Sequence, residues 1–154
     1  MTINTAQVGF LPAMGYNTWN DFRCSPDLNA SNVMAIADRM VALGLIELGY
    51  RYLNLDDCWQ LAELGPSGEL QPDPAAFPDG IKPVADYVHA RGLSLGIYSC
   101  RGWKTCAFRG ASGGHEAVHA RQFAEWGIDY LKHDSARAPG SQPRPRSATA
   151  LHAH

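Results

Sequence analysis

No stretch of this sequence is apolar for the roughly 20 residues that a membrane-spanning helix needs. Charge is also sparse and balanced. Lysine and arginine number 13 against 15 acidic residues, for a formal net charge of -2. With no large basic field, nucleic acid and anionic membranes are excluded as expected partners. The four cysteines (Cys24, Cys58, Cys100 and Cys106) contain no CxxC pair and have no histidine placed to complete a zinc site. They read either as buried thiols or as disulfides, the latter requiring an oxidising compartment. Glycine-rich phosphate loops are missing too. Gly110 and Gly113-Gly114 precede a helical stretch, but without GxGxxG spacing or a directly preceding strand. No metal or cofactor is expected. The opening residues Met1 to Thr5 lack the basic patch and apolar stretch of a secretory signal. Either the chain stays inside the cell or a leader lies outside this sequence, so the compartment stays open.

What is present fits one globular domain: 154 residues, 45% hydrophobic and 18% charged. One unit recurs: an amphipathic stretch, a glycine, then a short apolar strand ending in polar residues. The first copy runs Ser31 to Leu48, with Val33, Ile36, Ala37, Met40 and Val41 at helical spacing, then Gly49 and Tyr52-Leu53-Asn54-Leu55-Asp56-Asp57. In the second, Ile81, Val84, Ala85 and Val88 form the stripe, followed by Gly92 and Leu93 to Ser99. The third runs from about His115 to Trp126, then Gly127 and Ile128 to Asp134. Each glycine is expected to cap its helix in the left-handed conformation. Strands separated by helices pair in parallel through right-handed crossovers. With an earlier strand near Ala13 to Trp19, four strands are predicted, near 13–19, 52–55, 94–98 and 129–132. The stretch from Asp57 to Phe77, with Gly65, Gly68, Pro66, Pro72 and Pro74, reads as a loop on the strand C-terminal side. From about Ala136 the composition changes: no acidic residue, one large aliphatic and three prolines. Residues 136–154 are expected to be a disordered or non-native tail, from a truncated gene or a shifted frame.

Polar residues gather where the strands end: Trp19 and Asn20, Asp56 and Asp57, Tyr98 and Ser99, Lys132 and Asp134. One acidic strand end can be only a helix cap or a loop ion pair. Four in a row place polar side chains on the face where α/β active sites form. Carboxylates with a lysine and a tryptophan suit a sugar: aspartates accept from hydroxyls, lysine donates, and an indole covers the apolar face of a pyranose. Lys132 and Asp134 alternate along a strand, so both point to one side. A cation there would favour the ionised form of Asp134 that a nucleophile requires. The other reading is a Lys–Asp pair that only stabilises the barrel mouth.

Met14-Gly15-Tyr16-Asn17-Thr18-Trp19-Asn20, Leu55-Asp56-Asp57-Cys58-Trp59, Gly96-Ile97-Tyr98-Ser99, Thr105-Cys106-Ala107 and Tyr130-Leu131-Lys132-His133-Asp134 resemble motifs of the α-galactosidase (melibiase) family, glycoside hydrolase family 27. Pro78-Asp79-Gly80-Ile81 and Gly114-His115-Glu116 fit the same pattern. The resemblance covers about residues 10 to 135, in order. It implies an α/β fold of the (β/α)8 TIM-barrel type, truncated to about the first four βα units, with residues 1–135 as the N-terminal half of the barrel. It implies removal of terminal α-linked galactose with retained configuration, and so a small-molecule α-galactoside as partner. Asp134 would be the nucleophile and Lys132 would bind ring hydroxyls. Asp56 and Asp57 would grip the 4- and 6-hydroxyls, which both can reach only if the strand has already ended. Trp19 would pack against the sugar, and Tyr98 and Cys106 would line the pocket. Cys24 and Cys58 match a disulfide of the family.

Some positions depart from the family pattern. A second family disulfide joins the Cys106 position to one where this chain has Ala136, leaving Cys100 as a substitute partner. His133 stands where tyrosine or phenylalanine is usual and is expected to be a packing change. The family's acid/base aspartate lies beyond the nucleophile, and no carboxylate side chain follows Asp134 here. Rival readings are an α-N-acetylgalactosaminidase, a non-catalytic galactose-binding remnant, and an unrelated doubly wound α/β protein.

Overall fold

A computed structural model describes residues 12–135; the expectations for residues 136–154 lie outside these residues. The chain alternates β1 (Gly15–Asn17), α1 (Trp19–Phe22), α2 (Ala30–Ala42), β2 (Tyr52–Leu55), α3 (Lys82–His89), β3 (Ser94–Cys100), α4 (Glu116–Trp126) and β4 (Tyr130–Asp134). All pairings are parallel, and the strands lie side by side in chain order, β1-β2-β3-β4. That order separates a β/α barrel from a doubly wound sheet, in which the strand order reverses at a switch point. No helix of the described residues is long and apolar enough to cross a membrane.

Local chemistry sets the helices. Asn29 caps α2, its side chain accepting from the Asn32 N–H at 3.0 Å, and Val33, Ala37 and Met40 bury one stripe. Proline near the start of α3 costs no helical hydrogen bond there, and Val84, Ala85 and Val88 face inward. Gly127 ends α4 at φ 76°.

The amphipathic stretch read from Ser31 to Leu48 is helical only as far as Ala42, one residue past the end of its apolar stripe at Val41. Two capping turns follow in succession. Gly44 and Gly49 both have positive φ, and the residues after them, Leu45 and Tyr50, donate back to the carbonyls of Met40 and Leu45. The same return bond follows Gly92 and Gly127, from Leu93 to Val88 and from Ile128 to Phe123. The apolar residues beyond Ala42 therefore belong to a second turn, not to the helix.

Strand ends differ as well. β1 is cut to Gly15–Asn17 because the Asn17 side chain accepts the Trp19 N–H at 3.0 Å and turns the chain into α1. β3 and β4 run on to Cys100 and Asp134, which are register partners.

Leu53, Leu55, Leu95 and Ile97 are fully buried, and they join Val33, Ala37, Met40, Val84, Val88 and Phe123 in one core. They occupy the helix-facing side of the sheet. The opposite face carries Asn17, Asn54, Gly96, Tyr98, Lys132 and Asp134, as the registers require. On β4, Leu131 is 41% exposed and His133 is also exposed. No described helix covers that side of the last strand.

At Gly15 a Cβ would lie 1.9 Å from the Tyr52 carbonyl oxygen, a backbone atom that cannot rotate away. Gly15→Ala should therefore cost about 1–3 kcal/mol. Urea denaturation of the two chains checks this, and equal midpoints would contradict it.

Candidate active site

The sheet delivers side chains from all four strands to one mouth. β2 stops at Leu55, so Asp56 and Asp57 stand beyond the pleat and are not held to opposite faces. Asp56 is 3% exposed. Its Oδ2 accepts from Asn17 Nδ2 at 2.8 Å and from Lys132 Nζ at 2.5 Å, and its Oδ1 accepts the Asp57 N–H at 2.8 Å. The Thr18 hydroxyl accepts the Asp56 N–H at 2.9 Å. Lys132 Nζ also lies 5.3 Å from the centre of the Tyr98 ring, close enough for cation–π attraction. Tyr98 donates its hydroxyl to Asp134 Oδ2 at 2.9 Å. Asp134 Oδ1 accepts the Ser135 N–H at 2.6 Å.

A connected series therefore crosses the sheet: Asn17, Asp56, Lys132, Tyr98, Asp134. Lys132 and Asp134 do share a side, as their alternation predicts. The lysine, however, pairs with Asp56 across the sheet, and Asp134 is met by a phenol. Spacing along one strand could not reveal that exchange, because Asp56 lies 76 residues away. Burial, then the hydrogen bond to Asp134, pushes the Tyr98 phenol far above its ordinary value. Tyr98 therefore keeps its proton and orients Asp134.

Asp57 is 2% exposed and is bound mainly to its own protein. Its Oδ1 accepts from the Cys58 N–H and the Thr105 hydroxyl, both at 2.8 Å, and its Oδ2 accepts the Ala107 N–H at 3.0 Å. It thereby clamps the loop after β3 to the loop after β2. Cys106 is held between these contacts, exposed, with its Sγ 3.7 Å from Asp134 Oδ2 and 4.0 Å from the Tyr98 hydroxyl. Cys24 and Cys58 form the disulfide that the resemblance implied, whereas Cys100 and Cys106 are both outside disulfides. Trp19 is half-buried, outside the core, and its backbone N–H rests on the same Asn17 side chain that donates to Asp56.

With this geometry in place, the comparisons are decisive. The alpha galactosidase A family (Melibiase_2) matches residues 11–146. The chain belongs to this family. It is 49% identical over 142 residues to a probable alpha-galactosidase B of Aspergillus fumigatus, covering 90% of this chain and 31% of that protein. The crystal structure of alpha-galactosidase I from Mortierella vinacea superposes with a TM-score of 0.82 at 42% identity, over 88% of this chain and 34% of the other. An alpha-galactosidase of Saccharomyces cerevisiae, solved with raffinose, gives a TM-score of 0.80 at 38% identity, over 86% and 29%. The chain spans about a third of the length of the curated relatives it matches. The parallel sheet and these neighbours make the fold that of the α-galactosidase TIM barrel over the first four strands.

Asn17, Thr18 and Thr105 hold this constellation together and were not singled out from sequence, although all three stand inside the motifs quoted above. Behind the site runs a second buried relay. His119 sits 2.8 Å from the Gly68 carbonyl through Nε2 and 2.9 Å from the Ser112 hydroxyl through Nδ1, and Ser112 is 2.6 Å from the Ser99 hydroxyl. A carbonyl can only accept, so Nε2 carries the proton and Nδ1 accepts from Ser112. No sequence periodicity marks that set, whose members come from β3, α4 and the loops after β2 and β3.

Two outcomes follow for this site. Asp57→Asn replaces one acceptor oxygen with an NH2 group, which faces the Ala107 N–H or, turned over, the Cys58 N–H and the Thr105 hydroxyl, and should cost about 1–3 kcal/mol. A melt unchanged from wild type would contradict the clamp. Burial, opposed by the Gly68 carbonyl, holds the His119 imidazole below its ordinary value. The unfolded chain then takes up a proton near pH 6.5 that the fold refuses. Stability should therefore be complete above about pH 6.5 and decline below it. Denaturation midpoints from pH 7.5 to 5.5 should show that slope, and His119→Gln should flatten it.

Proposed function

We propose that this chain supplies the nucleophile-bearing half of a retaining glycoside hydrolase site that removes terminal α-linked galactose. The supporting observation is the series from Asn17 to Asp134, which joins two carboxylates, an ammonium and a phenol across the ends of four parallel strands. In this reading Asp134 attacks the anomeric carbon, and water later releases galactose from the covalent intermediate. Tyr98 positions the carboxylate. Lys132 donates to ring hydroxyls while Asp56 accepts from them. Asp57 Oδ2 takes one protein N–H and keeps a lone pair for a further hydroxyl. Trp19 lies against the apolar face of the sugar, and Cys106 lines the pocket beside Asp134.

Protonation of the leaving group needs a carboxylic acid on the other side of the glycosidic oxygen. Among the described residues, Asp56 and Asp57 are both engaged by protein donors, and Tyr98 holds its proton too tightly to donate it. In the family that acid lies beyond the nucleophile. Hydrolysis of melibiose, whose sugar leaving group needs that proton, by the 154-residue chain should therefore be slower by about 10²–10⁴-fold or more than with an acid in place.

An activated, fluorinated α-galactosyl fluoride needs no protonated leaving group, so it tests the nucleophile directly. Incubation followed by peptide mass spectrometry should find one galactosyl adduct on Asp134 and none in Asp134→Asn. An adduct on another residue, or none at all, would sink the assignment.

A further inference from the structure

The loop after β3 ends in an oddly placed aromatic. Phe108 has φ 60°, in the left-handed region that a bulky residue avoids. Its side chain is 54% exposed, so burial of the ring does not offset that conformation. The backbone around it leaves no freedom to relax. Its N–H donates to the Thr105 carbonyl at 3.0 Å, and Thr105 N–H donates to the Arg109 carbonyl at 3.0 Å. Arg109 N–H donates to the Thr105 hydroxyl at 3.1 Å. Lys104 and Gly110 bridge the base of the loop, and Gly110 N–H donates to the Leu61 carbonyl at 2.9 Å. A strained, exposed residue on a tied backbone is where a ligand contact is to be sought.

Its position says which ligand. The residue just before it, Ala107, donates its N–H to Asp57 at 3.0 Å, and Cys106 reaches Asp134 at 3.7 Å. Adjacent Cα atoms are about 3.8 Å apart, so the Phe108 Cα lies within about 8 Å of the Asp57 carboxylate. Phe108 thus belongs to the same loop that brings Cys106 to Asp134, and it takes no part in the hydrogen-bonded series that would hold the terminal sugar. We propose that Phe108 is a specificity residue that stacks on the second sugar ring of the substrate, the one linked to galactose. A phenyl ring on a backbone already fixed suits the apolar face of a hexose and leaves only its own rotamer to order on binding. This inference rests on the proposed galactose site and adds the neighbouring position to it.

Saturation-transfer NMR of the 154-residue chain with galactose and with melibiose separates the two ideas and tolerates weak binding. Wild type should transfer to both rings of melibiose and bind it about three- to tenfold more tightly than galactose. Phe108→Ala and Phe108→Leu should lose the transfer to the glucose ring and the affinity gain, with galactose signals unchanged; Phe108→Trp should restore them. Glucose-ring transfer that survives Phe108→Ala overturns the proposal while leaving the galactose site standing. Absence of transfer to galactose itself overturns both. Phe108→Gly should melt no lower than wild type, since glycine accepts that φ. A clear drop in its melting temperature would make Phe108 a packing residue and end the proposal.

Discussion

Asp56 is a carboxylate withdrawn from water, and its charge is tolerable only because three other parts of the chain bring donors to it. Asn17 comes from the end of β1, Lys132 from β4, and the Asp57 N–H from the turn that follows β2. Removing any one leaves a buried acceptor short of a partner, which is far costlier than losing an exposed ion pair. That one carboxylate therefore ties the first, second and fourth strands together over the third. It constrains strand order, register and the shape of the mouth at once. Tyr98, on the strand that is bridged, lies under Lys132 and donates its hydroxyl hydrogen bond to Asp134.

The two faces of the sheet carry different burdens. The helix side is aliphatic and supplies the cohesion, through Leu53, Leu55, Leu95 and Ile97 against α2, α3 and α4. The other side is polar and supplies geometry. Between them, the loops after β2 and β3 are clamped by Asp57 below and by the His119 relay behind. Strained backbone is tolerated where these clamps converge. Cys58, at φ 78°, is fixed by its disulfide and by the Asp57 side chain, and Phe108 is fixed by the turn around Thr105. Strain of this kind persists only where neighbouring contacts over-determine the conformation.

Much of this was legible along the chain because the signals are local. A glycine followed by an apolar run marks a capped helix and the next strand, so β2 fell at Tyr52–Leu55 as expected. Alternation put Lys132 and Asp134 on one face. The errors were local competitions of another kind. Asn17 turned the chain early and shortened β1, and two consecutive capping turns at Gly44 and Gly49 take up the end of the stretch read through Leu48.

The residue types at the strand ends, the parallel βα alternation and the presence of Asp134 with its carboxylate follow from the sequence, since each depends on periodicity or on neighbours a few positions away. Partner choice does not. Lys132 could have paired with Asp134, two residues along its own strand, and goes instead to Asp56. Asp57 could have faced the pocket freely and is instead spent largely on Thr105 and Ala107. Those outcomes depend on which donors the closed register brings within three ångströms of a buried oxygen, and only the tertiary structure sets that.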